Sequence, residues 1–235
     1  MSIRTAGRAL LGAALLLAAA RPVRAQQWQN VATPSIGTSL AAAGVNSLDP
    51  TTFTTLAQTF VAPTGFLYLQ NFSLFLTESF GGPDTRFRAY VYQWNADNSL
   101  GTQLWASNTF AGSGNIFGFD TYSFTTLNLQ LTQLGTYAFV LSASEPFGLI
   151  PDGSTTFVGT TFDDEYAGGR LWGATNGADF AALGTAGTLQ PVLGSEDISF
   201  DANFTNNTVP EPASIALLGT GLAGVALVAR RRRRS

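Results

Sequence analysis

Between residues 26 and 207 no amphipathic helix longer than two turns is legible, and large apolar residues commonly return at every second position instead. Side chains alternate across a β-strand, so this period of two marks strands with one buried face. The clearest case is 197–204, where Ile198, Phe200, Ala202 and Phe204 alternate with Asp197, Ser199, Asp201 and Asn203. In 86–94, Phe87, Ala89 and Val91 take one face, and Arg88, Tyr90, Tyr92 and Trp94 the other. Leu127, Leu129 and Leu131 alternate with Asn128 and Gln130. Further strands are expected over 56–61, 66–76, 104–107, 118–124, 137–143 and 156–162. Turn residues punctuate them at Pro63-Thr64-Gly65, Asp97-Asn98, Pro151-Asp152-Gly153 and Gly168-Gly169, among others. Short strands with regular turns predict an all-β fold, an antiparallel two-sheet β-sandwich of jelly-roll type over 26–205. A parallel β-helix would need a repeat of fixed period, which the sequence lacks. Residues 26–55 are rich in Thr, Ala and Ser, and read as an edge strand or a loose lead-in.

Composition narrows the chemistry. The chain has no cysteine and no histidine, which removes disulfides, thiolate and imidazole metal ligands, cysteine nucleophiles and every Ser–His–Asp arrangement. All 12 basic residues are arginine, and they crowd the two ends. Over 26–208 only Arg86, Arg88 and Arg170 stand against fourteen carboxylates, a net charge of −11. A body of that charge repels nucleic acid and anionic lipid, so neither is an expected ligand.

The two ends read as addresses. Arg4 and Arg8 precede an apolar run over 9–20, and Val23-Arg24-Ala25 offers small or modest residues at a cleavage site. That order predicts a signal peptide over 1–25, cut by signal peptidase. After the linker 206–208, the segment 209–235 has three parts in sequence. They are Pro210, Glu211 and Pro212, then an apolar stretch over 213–229, then Arg230, Arg231, Arg232, Arg233 and Arg234. Seventeen apolar or small residues are at the lower limit for a transmembrane helix. The arginines would hold the cytoplasmic side and leave the body outside, as a membrane stop does. The tripartite tail resembles the PEP-CTERM sorting signal of Gram-negative bacteria. The resemblance implies transient residence in the inner membrane, recognition and cleavage by exosortase, and delivery to the cell surface or extracellular space. It also implies association with exopolysaccharide and biofilm.

Two features of the body could carry a ligand. Tyr90, Tyr92 and Trp94 share one face of one strand, opposite its apolar side, and three rings at strand spacing suit stacking on successive sugars of a neutral polysaccharide. The same rings could instead pack the core. Asp163, Asp164 and Glu165 form the one run of three consecutive carboxylates and could supply oxygen ligands to calcium, or simply a solvated turn; no other cofactor is expected. The runs Leu56-Ala57-Gln58-Thr59-Phe60 and Phe87-Arg88-Ala89-Tyr90-Val91-Tyr92, with 137–142, resemble bacterial surface β-sandwiches of the carbohydrate-binding-like kind. The expected function is therefore a non-catalytic surface or matrix protein, with a carbohydrate-binding module as alternative. A glycoside hydrolase is a further alternative, and would need two paired carboxylates from Glu78, Glu145, Glu165 and Glu196.

Overall fold

The computed structural model describes residues 25–29, 35–41, 52–78, 85–112, 118–144, 155–161, 164–193 and 197–206. The expected signal peptide, the apolar tail and Asp163 lie outside the described residues. The strands in chain order are β1 (Ala25–Gln29), β2 (Ser35–Ala41), β3 (Thr52–Phe53), β4 (Thr55–Val61) and β5 (Tyr68–Glu78). Then come β6 (Arg86–Trp94), β7 (Leu100–Ala106), β8 (Phe110–Ala111), β9 (Asp120–Gln130) and β10 (Thr136–Ser142). The last are β11 (Thr155–Thr161), β12 (Leu171–Ala174), β13 (Gln190–Pro191), β14 (Asp197–Ile198) and β15 (Phe200–Thr205). They form two sheets. The first runs β1-β15-β5-β11-β2-β3, with β9 also paired to β5 and β14 to β11. The second runs β13-β12-β4-β10-β6-β7, with β8 also on β6. All pairings are antiparallel except β2 with β3, so the expected two-sheet antiparallel sandwich is the architecture found.

Where the inner faces meet, the core is aromatic. Phe139 of β10 stacks on Phe60 of β4, with ring centroids 4.2 Å apart, and on Phe72 of β5 at 4.4 Å. It therefore joins the two sheets through π-faces, while Phe124, Phe200 and Phe204 fill the space around it. Ile198, Phe200, Ala202 and Phe204 are all buried, as their alternation predicts.

The alternate residues are a correction. Asp197 and Ser199, expected on the solvent face, are fully buried, and Asp201 and Asn203 are half-buried. The cause at Asp197 is a polar seam between the sheets. Its Oδ1 accepts from Gln58 Nε2 of β4 at 2.7 Å, and its Oδ2 accepts from the Tyr166 backbone N–H at 3.0 Å. Gln58 Oε1 in turn accepts from Ile198 N–H at 2.7 Å. Asn203 is drawn down by a hydrogen bond from its Nδ2 to Asn71 Oδ1, 2.6 Å away on β5. Leu127 is a second correction: it is 84% exposed rather than on the buried face with Leu131. A bulge in β9, with Leu127 at φ 54° and Asn128 at φ 60°, breaks the alternation there.

The register also defines one end of the sandwich. Ala25 pairs with Thr205, Thr205 with Tyr68, and Tyr68 with Gln130. The described chain thus begins and ends side by side, with β1 as the expected edge strand. Val61 and Thr136 pair at the same end of the second sheet, where the connection 62–67 crosses to β5.

Gly169 marks a close backbone approach at the edge of the second sheet. A Cβ built there would overlap the Thr59 carbonyl of β4, and that backbone is held by Thr59 N–H donating to Arg170 O at 3.0 Å. Gly169→Ala is therefore expected to destabilise the body by about 3 kcal/mol, the upper range for overpacking against unyielding atoms. Urea titration checks it, and a change under about 0.5 kcal/mol would contradict the close approach.

Candidate functional site

The sequence places Tyr90, Tyr92 and Trp94 on the outward face of β6, and there they are, but the face is not open. Tyr90 is 1% exposed and Tyr92 7%. The segment 175–192 folds back over the second sheet, and its one 3-10 helix, Phe180–Gly184, sits on the tyrosines. Phe180 lies 5.1 Å from Tyr90 and 6.3 Å from Tyr92, centroid to centroid, and Leu183 and Leu189 close the layer over Ala57, Ala138 and Val140. The exposed three-ring row is thus corrected: Tyr90 and Tyr92 belong to a second apolar layer. This explains why β10 is buried along nearly its whole length, for both of its faces are covered.

Trp94 keeps part of its surface at the edge of that layer and meets Trp172 of β12. The indole centroids are 5.1 Å apart and the planes inclined by 45°. Both rings are half-buried and pack against the second apolar layer. Beside Trp94 the β6–β7 turn is polar and tightly held. Asn95 Nδ2 donates to Ser99 Oγ at 3.0 Å, and Ser99 Oγ donates to Asp97 Oδ1 at 2.6 Å. Asn98 takes φ 60°, a conformation asparagine tolerates, and Gln93, Asp97 and Asn98 are exposed. Two partly open indoles flanked by exposed amides and a carboxylate are the pairing of apolar face and hydrogen-bonding rim that a sugar ring requires. A small cavity of about 170 Å³ lies close by, between Tyr92, Leu100, Gly101 and the 3-10 helix.

Asp164 and Glu165 are exposed, and Asp163 lies outside the described residues. The next residue, Tyr166, donates its backbone N–H to Asp197 Oδ2 at 3.0 Å. Among the described residues no group of three acidic side chains is placed to hold a metal ion. Burial pushes the Asp197 carboxyl above the usual carboxylate range; the Tyr166 amide and Gln58 oppose the shift and the Asp164 charge adds to it. Of the four glutamates considered for acid–base work, only Glu165 has a described side chain.

Tyr166 also lines an open groove of about 460 Å³ at the end where the described part of the chain begins and finishes, with Val61, Ala62, Pro63, Thr64, Leu134 and Gly168. Its hydroxyl accepts from Val61 N–H at 3.2 Å. Nothing in the sequence pattern announced this groove. The apolar pair Phe180 and Leu183, set three apart behind the capping Asp179, was the available sign that a turn of helix would cover the tyrosines.

The tail carries its own evidence. Residues 208–234 match the model of the PEP-CTERM protein-sorting motif, and they include Pro210, Glu211, Pro212 and the five terminal arginines Arg230 to Arg234. The chain carries a PEP-CTERM sorting signal. It is therefore an exported surface protein processed by exosortase. The motif residues lie outside the described residues, and no helix among the described residues is long and apolar enough to cross a membrane. No curated protein matches the chain. Two solved structures are similar in part. A clostridial cysteine protease, Cwp84 after propeptide cleavage, shares 13% identity at a TM-score of 0.45, over 78% of this chain and 40% of that one. The cysteine protease and lectin-like domains of Cwp84, a surface layer associated protein of Clostridium difficile, share 12% identity at 0.34, over 65% and 32%. The chain thus spans well under half the length of either.

Proposed function

We propose that the body of this exported surface protein is a non-catalytic module that holds neutral exopolysaccharide, with Trp94 and Trp172 as the contact. The observation that carries this reading is the half-open indole pair beside the polar turn at 95–99. An indole combines a large apolar face with little conformational entropy to lose, so it can stack on the C–H face of a pyranose. Asp97 and Asn98, exposed in the turn that follows Trp94, offer ring hydroxyls hydrogen-bonding partners. The body's net −11 favours an uncharged glycan, since an anionic one would be repelled at low salt. Delivery by the sorting signal brings the module to the compartment where such polymers lie.

Trp94→Ala is expected to weaken retention on an insoluble neutral polysaccharide at least tenfold in a pull-down. Tyr90→Phe, which alters a ring inside the covered layer, is expected to leave retention unchanged. Thermal melts of both variants accompany the assay. Undiminished retention by a folded Trp94→Ala variant would sink the proposal.

A further inference from the structure

We infer that the end of the sandwich bearing Leu127 and Leu134 is a docking surface for an uncharged lipid bilayer. It would act while the chain is still joined to its sorting segment. The inference begins from two backbone outliers. Four described non-glycine residues have positive φ. Two are Asn98 and Asn128, for which the left-handed region is ordinary. The other two are Leu127 at φ 54° and Leu134 at φ 59°, and a bulky side chain pays a steric cost there. Neither is compensated by burial: Leu127 is 84% exposed and Leu134 65%. In the turn at 132–135 a glycine stands one position later, so a residue suited to positive φ was within reach of this sequence. Strain held in an exposed apolar side chain points to a task for that side chain.

Both leucines lie towards the same end. Leu127 sits in the bulge next to Leu129, whose row continues through Leu69 to Phe204. Leu134 follows β9, and its N–H donates to Ala62 O at 3.2 Å. It forms part of the groove with Val61, Ala62, Pro63 and Tyr166, which widens the apolar area around it. This is also where the described chain finishes, at Asn206, beside Ala25. The sorting motif begins at residue 208 and its apolar stretch at Ala213. Seven residues reach at most about 25 Å when fully extended. Any membrane engaged by the sorting segment is thus within about 25 Å of this end, at the high effective concentration a short tether produces. Few leucines then suffice, since the tether has already met most of the cost of association.

Charge decides which lipid. Asp164 and Glu165 are exposed in the loop running into Tyr166, and Asp97 is exposed in the β6–β7 turn at the same end. Arg86 and Arg88 are at the start of β6, towards the opposite end. An anionic bilayer would be repelled here, so contact rests on the leucines and favours an uncharged surface.

The absence of cysteine makes a direct test available. Single cysteines are introduced into the full-length chain by Leu127→Cys, Leu134→Cys or Ala111→Cys, the last an exposed position at the opposite end, paired with Arg86. Each is labelled with a nitrobenzoxadiazole dye, and the protein is reconstituted into phosphatidylcholine vesicles with or without a shallow nitroxide-quencher lipid. Quenching at 127 and 134 is expected to exceed that at 111 several-fold, and to fall when half the lipid is phosphatidylglycerol. Equal quenching at all three positions would overturn the inference, as would stronger quenching on the anionic vesicles. So would shielding of 127 and 134 that follows protein density rather than quencher lipid, because the occupant would then be a second copy. A companion variant combines Leu127→Asn and Leu134→Asn, with its label at Thr64→Cys in the end loop. Asparagine accepts positive φ, so the unfolding midpoint should hold or rise while quenching at 64 is lost. Retained quenching at 64 would count against the leucines.

Discussion

Phe139→Ala lowers the unfolding free energy of the body by about 3–5 kcal/mol, the cost of emptying a buried aromatic site that its neighbours cannot refill. Collapse does not relieve the loss, because Phe139 is held on both sides. Phe60 of its own sheet stacks at 4.2 Å, Phe72 of the facing sheet stacks at 4.4 Å, and Phe200 leans on it at 5.5 Å. Each of those rings is fixed in a different strand, so closing the cavity would require the two sheets to move together. A domain of this kind has about 5–15 kcal/mol in total. The variant should therefore unfold at a much lower urea concentration, with an unchanged dependence on denaturant. Phe139→Leu, which retains most of the volume, should recover more than half of the loss. A cost below about 1 kcal/mol for the alanine variant would mean that the aromatic stack does not join the sheets.

Gln58→Leu is the second large effect, expected at about 3 kcal/mol near neutral pH. Leucine is close to glutamine in volume, so the cost is one of lost partners rather than of space. Without the Gln58 amide, Asp197 Oδ1 loses the donor at 2.7 Å, and Ile198 N–H loses its acceptor at 2.7 Å. Both groups sit in a fully buried environment where water cannot replace the bond. The pH dependence has a definite sign. Burial raises the Asp197 pKa in the folded state above its unfolded value. Its contribution to stability is then fully present below the unfolded carboxylate pKa, and is lost as pH rises through the folded one. Wild type should therefore lose stability relative to Asp197→Asn across that window. Gln58 stabilises the ionised carboxylate, so the penalty of Gln58→Leu should grow over the same rise in pH. Urea titrations of the three proteins at several pH values measure both differences. A penalty that is constant with pH would show that Asp197 does not feel Gln58 as a charged partner.

How far a residue's place could be read in advance depended on how many elements determine it. Phe87, Ala89 and Val91, and Ile198, Phe200, Ala202 and Phe204, were legible because one buried face is enough to impose a period of two. Leu127 broke that pattern through a bulge that puts two extra residues into β9 between the partners of Leu69 and Asn71, a backbone event that the run of residue types does not record. Tyr90 and Tyr92 were placed on the correct face of β6, yet their burial came from a segment some 90 residues further on, and that segment carries only a capped turn with two apolar positions.

The sequence by itself determined the class of the fold, most of the long strands from residue 56 onward and the address of the protein, because alternation, turn residues and the ordered Pro-Glu-Pro, apolar and Arg tail are all local properties of a chain; β2 and β12, which lack that alternation, were not legible. The tertiary structure alone decided which outward faces are open. It buried Asp197 by bringing β4 of one sheet against β14 of the other, and left Trp94 beside Trp172 while closing its tyrosine neighbours. It also gathered Leu127 and Leu134 at the end where the chain leaves the sandwich. Exposure is a property of pairs of distant segments, and a strand's own pattern records which side a residue points to but not what comes to rest on that side.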